Sequence, residues 1–134
     1  MTVIYFDSAF GFDTLCNDIT NLDASIELVA VLNQKGRAVE IKVRETGIDR
    51  DFTPVKREMF FMQCVLQASM NKDQDDEIGR IKSSVFERER FTIFSFEFVS
   101  YVILVVSRPI LYPMKLKNSI SEKIINIKQA ELVQ

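Results

Sequence analysis

Apolar residues are densest in the run FTIFSFEFVSYVILVVS, residues 91–107. Phe94, Phe96 and Phe98 share one side of an alternating stretch, whereas residues 101–106 are apolar on both sides. Aromatic and β-branched residues dominate the run, which favours strands over a helix. The pattern therefore predicts a hairpin whose second strand is buried on both faces of its sheet.

The same run is a poor candidate for a membrane span. It is 17 residues long with Glu97 near its middle, and a membrane helix needs about 20 predominantly apolar residues. Glu97 is also the one carboxylate inside a strongly apolar run. If it were buried, its pKa would be raised and the carboxyl would suit acid–base catalysis. Because a lone carboxylate makes no catalytic mechanism, we favour the alternative, a solvent-facing residue beside the hairpin turn.

A second hairpin is predicted from IELVAVLNQKGRAVEIKVRE, with its turn at Lys35-Gly36. Its first strand, residues 27–32, is nearly all apolar and is therefore expected to be central. Its second strand alternates, which predicts an outer strand with one wet face. The inward residues would be Val39, Ile41 and Val43, and the outward residues Glu40, Lys42 and Arg44. A polar edge strand is predicted within residues 79–89.

Three helices complete the pattern. The first precedes the hairpin at Lys35-Gly36, with Asp13 as its N-cap. The dipeptide Thr53-Pro54 signals the start of the second helix. Ser119 and Glu122 fit a capping box at the start of the third. The acidic stretch NKDQDDE, residues 71–77, is interpreted as a solvated loop or frayed helix end after the second helix, with Gly79 as the stop.

These elements predict an α/β (α+β) domain in the order α-β-β-α-β-β-β-α. Its five-stranded antiparallel sheet needs helices on both faces, because two central strands are apolar on both sides. A single domain is expected, with an N-terminal arm at residues 1–11 and the folded part at residues 12–134. The apolar residues 2–6 of the arm are expected to dock on the domain or across a dimer, since exposing them to water is costly.

The helix that begins at Pro54 carries two apolar stripes on roughly opposite sides. One stripe, which we expect to pack on the sheet, contains Val55, Met59, Met62, Leu66 and Met70. The other contains Phe61, Cys64, Val65 and Ala68. Because the domain offers this helix one sheet face, the second stripe is predicted to be a dimer interface between antiparallel helices. The alternative is that the arm or residues 109–113 cover it.

The composition of the chain excludes or disfavours several classes of function. The 134 residues carry 17 basic and 19 acidic side chains and a net charge of −2. This charge gives no indication of nucleic-acid binding, which requires an excess of basic side chains. Histidine is absent, which excludes His-dependent nucleophile pairs and His-ligated metals. The four glycines are too scattered to cradle phosphate. Cys16 and Cys64 are interpreted as reduced core thiols of a cytoplasmic protein. No catalytic residue, cofactor or metal is predicted.

Three pieces of the chain resemble the roadblock and dynein-light-chain-like group of the profilin-like folds. They are SIELVAVLNQKGRAVE, the helix from Pro54, and FSFEFVSYVILVVS with its closing helix. The resemblance spans roughly residues 12–132 and implies strand order 2-1-5-4-3, with one helix on one face and two on the other. It also implies homodimers that regulate or scaffold small GTPases without chemistry of their own. The chain is similar, too, to small archaeal proteins of this architecture.

The leading hypothesis is a non-enzymatic homodimeric regulatory module. Its partners would be a second copy of itself and a small GTPase or other signalling protein. The alternative is a PAS-like small-molecule sensor, because profilin-like and PAS-like sheets share topology and the five Met and eleven Phe could line a cavity as easily as fill one. A hydrolase or transferase is disfavoured by the absence of histidine and of a phosphate loop.

Overall fold

The computed structural model of the protein describes residues 11–44 and 48–133. The predicted N-terminal arm, apart from Gly11, lies outside these residues. In chain order the elements are α1 (Phe12–Thr20), β1 (Ile26–Leu32), β2 (Ala38–Val43), α2 (Ile48–Asp51), α3 (Pro54–Asn71), a 3-10 turn (Lys72–Gln74), α4 (Asp75–Ile78), β3 (Ser83–Glu87), β4 (Thr92–Phe98), β5 (Tyr101–Ser107) and α5 (Pro113–Val133).

The strands form one antiparallel sheet in the order β2-β1-β5-β4-β3. This confirms the predicted fold class and strand order. The acidic stretch after α3 is helical and not a loop, because it continues as the 3-10 turn and the short helix α4. Gly79 follows as the C-cap of α4, which confirms the predicted stop.

Two apolar cores lie on opposite faces of the sheet. Phe94, Phe96 and Phe98 belong to the core under α1 and α5. Leu28 and Leu104 belong to the core under α2 and α3. Every residue of β1 is buried, and β5 is buried after its first residue. The two strands predicted to be central are therefore covered on both faces, as their composition requires.

The outer strand β2 departs from the predicted alternation. Val31 pairs with Glu40 and Leu32 with Ala38, which leaves Val39 as an extra residue in the ladder. Because such a bulge shifts the register, Val39 packs in the α1–α5 core, whereas Val43 packs in the α3 core. Ile41, predicted to face inward, is 40% exposed. Periodicity alone cannot locate a bulge.

Arg44, predicted to face solvent, ties the end of β2 to α1. Its guanidinium donates at 2.6 Å to the carbonyl oxygens of Thr20 and Ile26. Thr20 is the last residue of α1, so the arginine satisfies a carbonyl that the helix leaves unpaired and complements the negative end of its dipole. The prediction that Arg44 faces solvent was therefore wrong, because its guanidinium is hydrogen-bonded to the backbone of α1 and β1.

One of the three predicted helix starts is confirmed. Thr53 caps α3, with its side chain accepting from the Lys56 amide at 3.4 Å. The other two were wrong. The N-cap of α1 is Gly11, at φ 64°, and makes no side-chain cap hydrogen bond. The last helix begins at Pro113, so Ser119 lies inside it and donates to the carbonyl of Lys115. The ring of proline fixes φ at a helical value, which favours a helix start at Pro113 over one at Ser119.

The predicted turn at Lys35-Gly36 is confirmed and lies against α3. Gly36 has a φ of 79°, which a side chain rarely tolerates. A Cβ at this position would lie 2.8 Å from the Cα of Met62. Glycine is therefore needed for both the turn and the close approach of the hairpin to the middle of α3.

Candidate interaction surface

The outer side of α3 carries a row of exposed apolar side chains, which we call the outward stripe. Its members, all between 58% and 69% exposed, are Val55, Met59, Met62, Leu66 and Met70. They recur every three or four residues and therefore lie on one side of the helix. Contiguous apolar surface of this kind on a folded domain is a candidate interaction site.

The inner side of α3 packs on the sheet. Phe61 is buried, and Cys64, Val65 and Ala68 pack against the core that contains Leu104. The two stripes are thus reversed relative to the sequence prediction. The residues predicted to form a dimer interface are used within the domain, and those predicted to cover the sheet face outward. Small residues at positions 64 and 68 let the helix approach its own sheet.

Aromatic packing at the start of α3 fixes the rotation of the helix. The ring of Phe52 contacts Phe60 edge-on, with centroids 5.4 Å apart, and lies 6.4 Å from Phe91. The adjacent Phe61 is buried in the α3 core. Because Phe60 and Phe61 are both held on the inner side, the outward stripe is forced to face away from the sheet.

A groove of about 230 Å³ runs between α3 and the strands β3 and β4. Its apolar lining includes Phe60, Cys64, Ala68, Phe86, Ile93 and Leu104, and its polar lining includes Gln63, Gln67, Ser84, Ser95 and Glu97. Phe86 is exposed at the rim, on β3, whose one sheet neighbour among the described strands is β4. The groove thus leads from the flank of α3 to the edge strand β3 of the described sheet.

Glu97 lies in this groove, so its predicted position facing solvent was wrong. Its side chain is 13% exposed, and its Oε1 lies 4.0 Å from Nη2 of the exposed Arg80. Glu97 pairs across the hairpin with Val102, which belongs to the α3 core, and this register places it under α3. In the part of the chain that the structure describes, no group of three or more acidic, cysteine or histidine side chains could hold a metal ion.

Both cysteines are protected thiols. Burial, then the carboxylates of Glu40 and Asp13, raise the pKa of the Cys16 thiol to about 12. Burial raises the pKa of the Cys64 thiol to about 11. Since the thiolate is the reactive form, we expect native protein at pH 8 to react slowly with iodoacetamide and both thiols to react readily in urea. Fast alkylation of Cys64 in the native protein, measured by mass spectrometry, would show that the groove opens.

Among the described helices, none has the length and hydropathy of a membrane-crossing segment. The chemistry that the site offers is apolar contact along α3 and in the groove, with amide and hydroxyl groups and the charged side chains of Glu97 and Arg88 among the groove's polar lining.

Solved structures share this fold. A Roadblock/LC7 domain from Streptomyces avermitilis aligns with a TM-score of 0.68 at 10% identity, over 90% of this chain and 97% of that one. MglC from Myxococcus xanthus aligns with a TM-score of 0.67 at 12% identity, over 89% of this chain and 98% of that one. The gliding protein mglB from Thermus thermophilus aligns at 0.64 and 14%, over 87% of each chain. No protein-family model and no curated protein matches the chain. The resemblance to archaeal proteins stays a prediction.

Proposed function

We propose that the chain is a non-enzymatic interaction module that works as a homodimer, joined through α3. The observation that carries this proposal is the outward stripe, five large apolar side chains that the domain itself leaves exposed. Three of the five are methionines, whose flexible side chains adapt to the surface they meet. Covering the stripe with a second copy removes it from water, which favours association.

The charge pattern of α3 suits pairing with itself. Residues 59–70 contain no charged side chain, so two copies meet without repulsion along this stretch. Two-fold symmetry makes the same surface face itself and makes the paired helices antiparallel. An axis near the middle of the uncharged stretch would bring Glu58 of one copy toward Lys72 of the other. Opposite charges at the two ends would then fix the register.

The groove and the edge strand β3 extend the proposed interface. Phe86, exposed at the groove rim, lies beside α3 on the same face of the sheet. A second copy seated on α3 would also cover this aromatic ring and close the groove. Edge strands of this kind are protected in proteins by a neighbouring element, and here the second copy would supply it.

The dimer would act by binding another protein in the cytoplasm. The roadblock resemblance supports a small GTPase or other signalling protein as that partner, and a structurally similar chain is described as a gliding protein. The dimer would supply a binding surface and no chemistry. The scarcity of convergent polar groups along α3 supports a scaffold rather than an active site.

Cross-linking at the outward stripe tests the dimer. With a short bismaleimide, Leu66→Cys should give a covalent dimer in high yield, because residue 66 lies near the proposed two-fold axis. Ile78→Cys, at a position that is 81% exposed but off the stripe, is the matched control and should run as an uncross-linked monomer on the denaturing gel. The wild-type protein, treated in the same way, shows how much cross-linking comes from the native Cys64. Equal yields of covalent dimer from both variants, measured by denaturing electrophoresis, would remove the support for this interface.

The alternative is a small-molecule sensor, and the groove beside α3 is the observation in its favour. Its volume of about 230 Å³ and its apolar lining suit a small ligand with an apolar body. Native mass spectrometry separates the two functions. A monomer that carries a bound small molecule would support the sensor, and a dimer without added mass would support the interaction module.

A further inference from the structure

The segment between β5 and α5 exposes a second apolar surface, away from α3. Leu111, Tyr112 and Met114 are 82%, 70% and 56% exposed. Residues 111–114 are called the apolar tip below. On either side of the tip, Ile110 and Leu116 pack against the α1–α5 core, on the face of the sheet opposite α3. A dimer joined through α3 therefore leaves the tip uncovered.

The backbone conformation of the tip is restricted by two prolines, a hydrogen bond and two anchored neighbours. Pro109 and Pro113 restrict φ on both sides of Leu111 and Tyr112. The Lys115 amide donates to the carbonyl oxygen of Tyr112 at 3.2 Å, which closes a turn at the start of α5. With Ile110 and Leu116 anchored in the core, the exposed side chains are presented outward by the fold.

The chain around the tip is basic. Residues 98–121 contain Arg108, Lys115 and Lys117 and no acidic residue, in a protein whose net charge is −2. Arg108 is engaged by Glu27 and Asp51, so the two lysines are the charges available at the tip. Asp23 is the acidic side chain that lines the adjacent surface together with Lys115. The Arg44 guanidinium donates to the backbone carbonyl of Asp23 at 3.3 Å, a contact that leaves the charge of the carboxylate in place.

We propose that the apolar tip binds an anionic lipid surface. Leucine, tyrosine and methionine would enter the boundary between headgroups and acyl chains, where tyrosine is favoured because its ring is apolar and its hydroxyl polar. Lys115 and Lys117 would lie at the level of the lipid phosphates, which attract basic side chains. The exposed apolar groups lie beside two lysines and one acidic side chain, Asp23, and this excess of basic charge favours an anionic lipid surface over a protein partner. The domain would thus be held at a membrane without crossing it.

A single tryptophan reports insertion directly, because the chain contains none. Tyr112→Trp should shift its emission to shorter wavelength when vesicles of equal parts phosphatidylcholine and phosphatidylglycerol are added, and much less with phosphatidylcholine alone. Ile78→Trp places the probe at an equally exposed apolar position elsewhere and should not shift. No shift for Tyr112→Trp, or an equal shift in both variants, would overturn the proposal.

Vesicle flotation then separates the contribution of the apolar side chains to membrane binding from that of the lysines. Leu111→Ser with Tyr112→Ser should lower partitioning into the anionic vesicles by at least about tenfold. Lys115→Gln with Lys117→Gln should lower it by about fivefold for each lysine removed, and Ile78→Ser should leave it unchanged. All these positions lie outside the cores, so circular dichroism should stay native. If the wild type does not float with anionic vesicles, or if the tip variants float equally well, the proposal fails, and a protein becomes the better occupant.

Discussion

Replacing Arg108 with leucine is expected to lower the free energy of unfolding by about 3 kcal/mol. The Nε of Arg108 lies 3.4 Å from Oε1 of Glu27, whose side chain is only 4% exposed. The guanidinium also lies 3.7 Å from Asp51 and 5.0 Å above the ring of Phe91. Removing it leaves a buried carboxylate without this countercharge and loosens α2 at the end of the sheet. Urea denaturation measures the change.

Arg80→Leu is the matched control for this experiment. Arg80 also pairs with a poorly exposed carboxylate, that of Glu97, but at 4.0 Å and from a side chain that is 65% exposed. Its loss should cost less than about 1 kcal/mol, as for surface pairs. Adding Glu27→Gln to Arg108→Leu should recover part of the stability. Equal effects of the two arginine variants would contradict the role given to Arg108.

Leu66→Glu is expected to weaken self-association by at least about a hundredfold, because it places an unpaired charge at the centre of the proposed interface. Leu66 is 62% exposed in the single chain, so the variant should fold. Analytical ultracentrifugation over a concentration series measures the dissociation constant, and circular dichroism confirms the fold.

Ile78→Glu is the control for this charge. Ile78 is an equally apolar and even more exposed residue off the stripe, so its replacement should leave the dissociation constant unchanged. A Leu66→Glu variant that associates as tightly as the wild type would place the interface elsewhere on the molecule.

The sheet could be predicted because its signals come from composition over whole strands. A strand that is apolar on both sides, such as β1 or β5, has to lie inside a sheet with cover on both faces. This property fixes the two central strands, and the hairpin turns then place their neighbours. The resemblance to roadblock domains added the full strand order, which the structure confirms.

The orientation of α3 could not be predicted, because both of its stripes are apolar. Periodicity shows that two sides of the helix avoid water, but it does not show which side meets the sheet. The structure decides this through Phe60 and Phe61, which the aromatic ring of Phe52 and the α3 core hold on the inner side. A signal was present in the sequence, since the small residues Cys64 and Ala68 suit close packing on the helix's own sheet.

Local departures from periodicity account for the other differences. The bulge at Val39 reverses the faces of β2, and its effect cannot be read from the alternation of residues 38–43. Glu97 is predicted to face solvent because it lies beside the hairpin turn and has no catalytic partner, and register places it in the groove instead. At both positions the tertiary structure decides exposure, and the residue type alone does not.

The mass of the wild-type protein in solution tests the proposed homodimer most directly. Multi-angle light scattering at micromolar concentration, after size exclusion, reports this mass without reference to shape. A stable dimer through α3 predicts twice 15.5 kDa, and Leu66→Glu run beside it should give the monomer mass. A wild type that elutes at 15.5 kDa up to high micromolar concentration would contradict the homodimer.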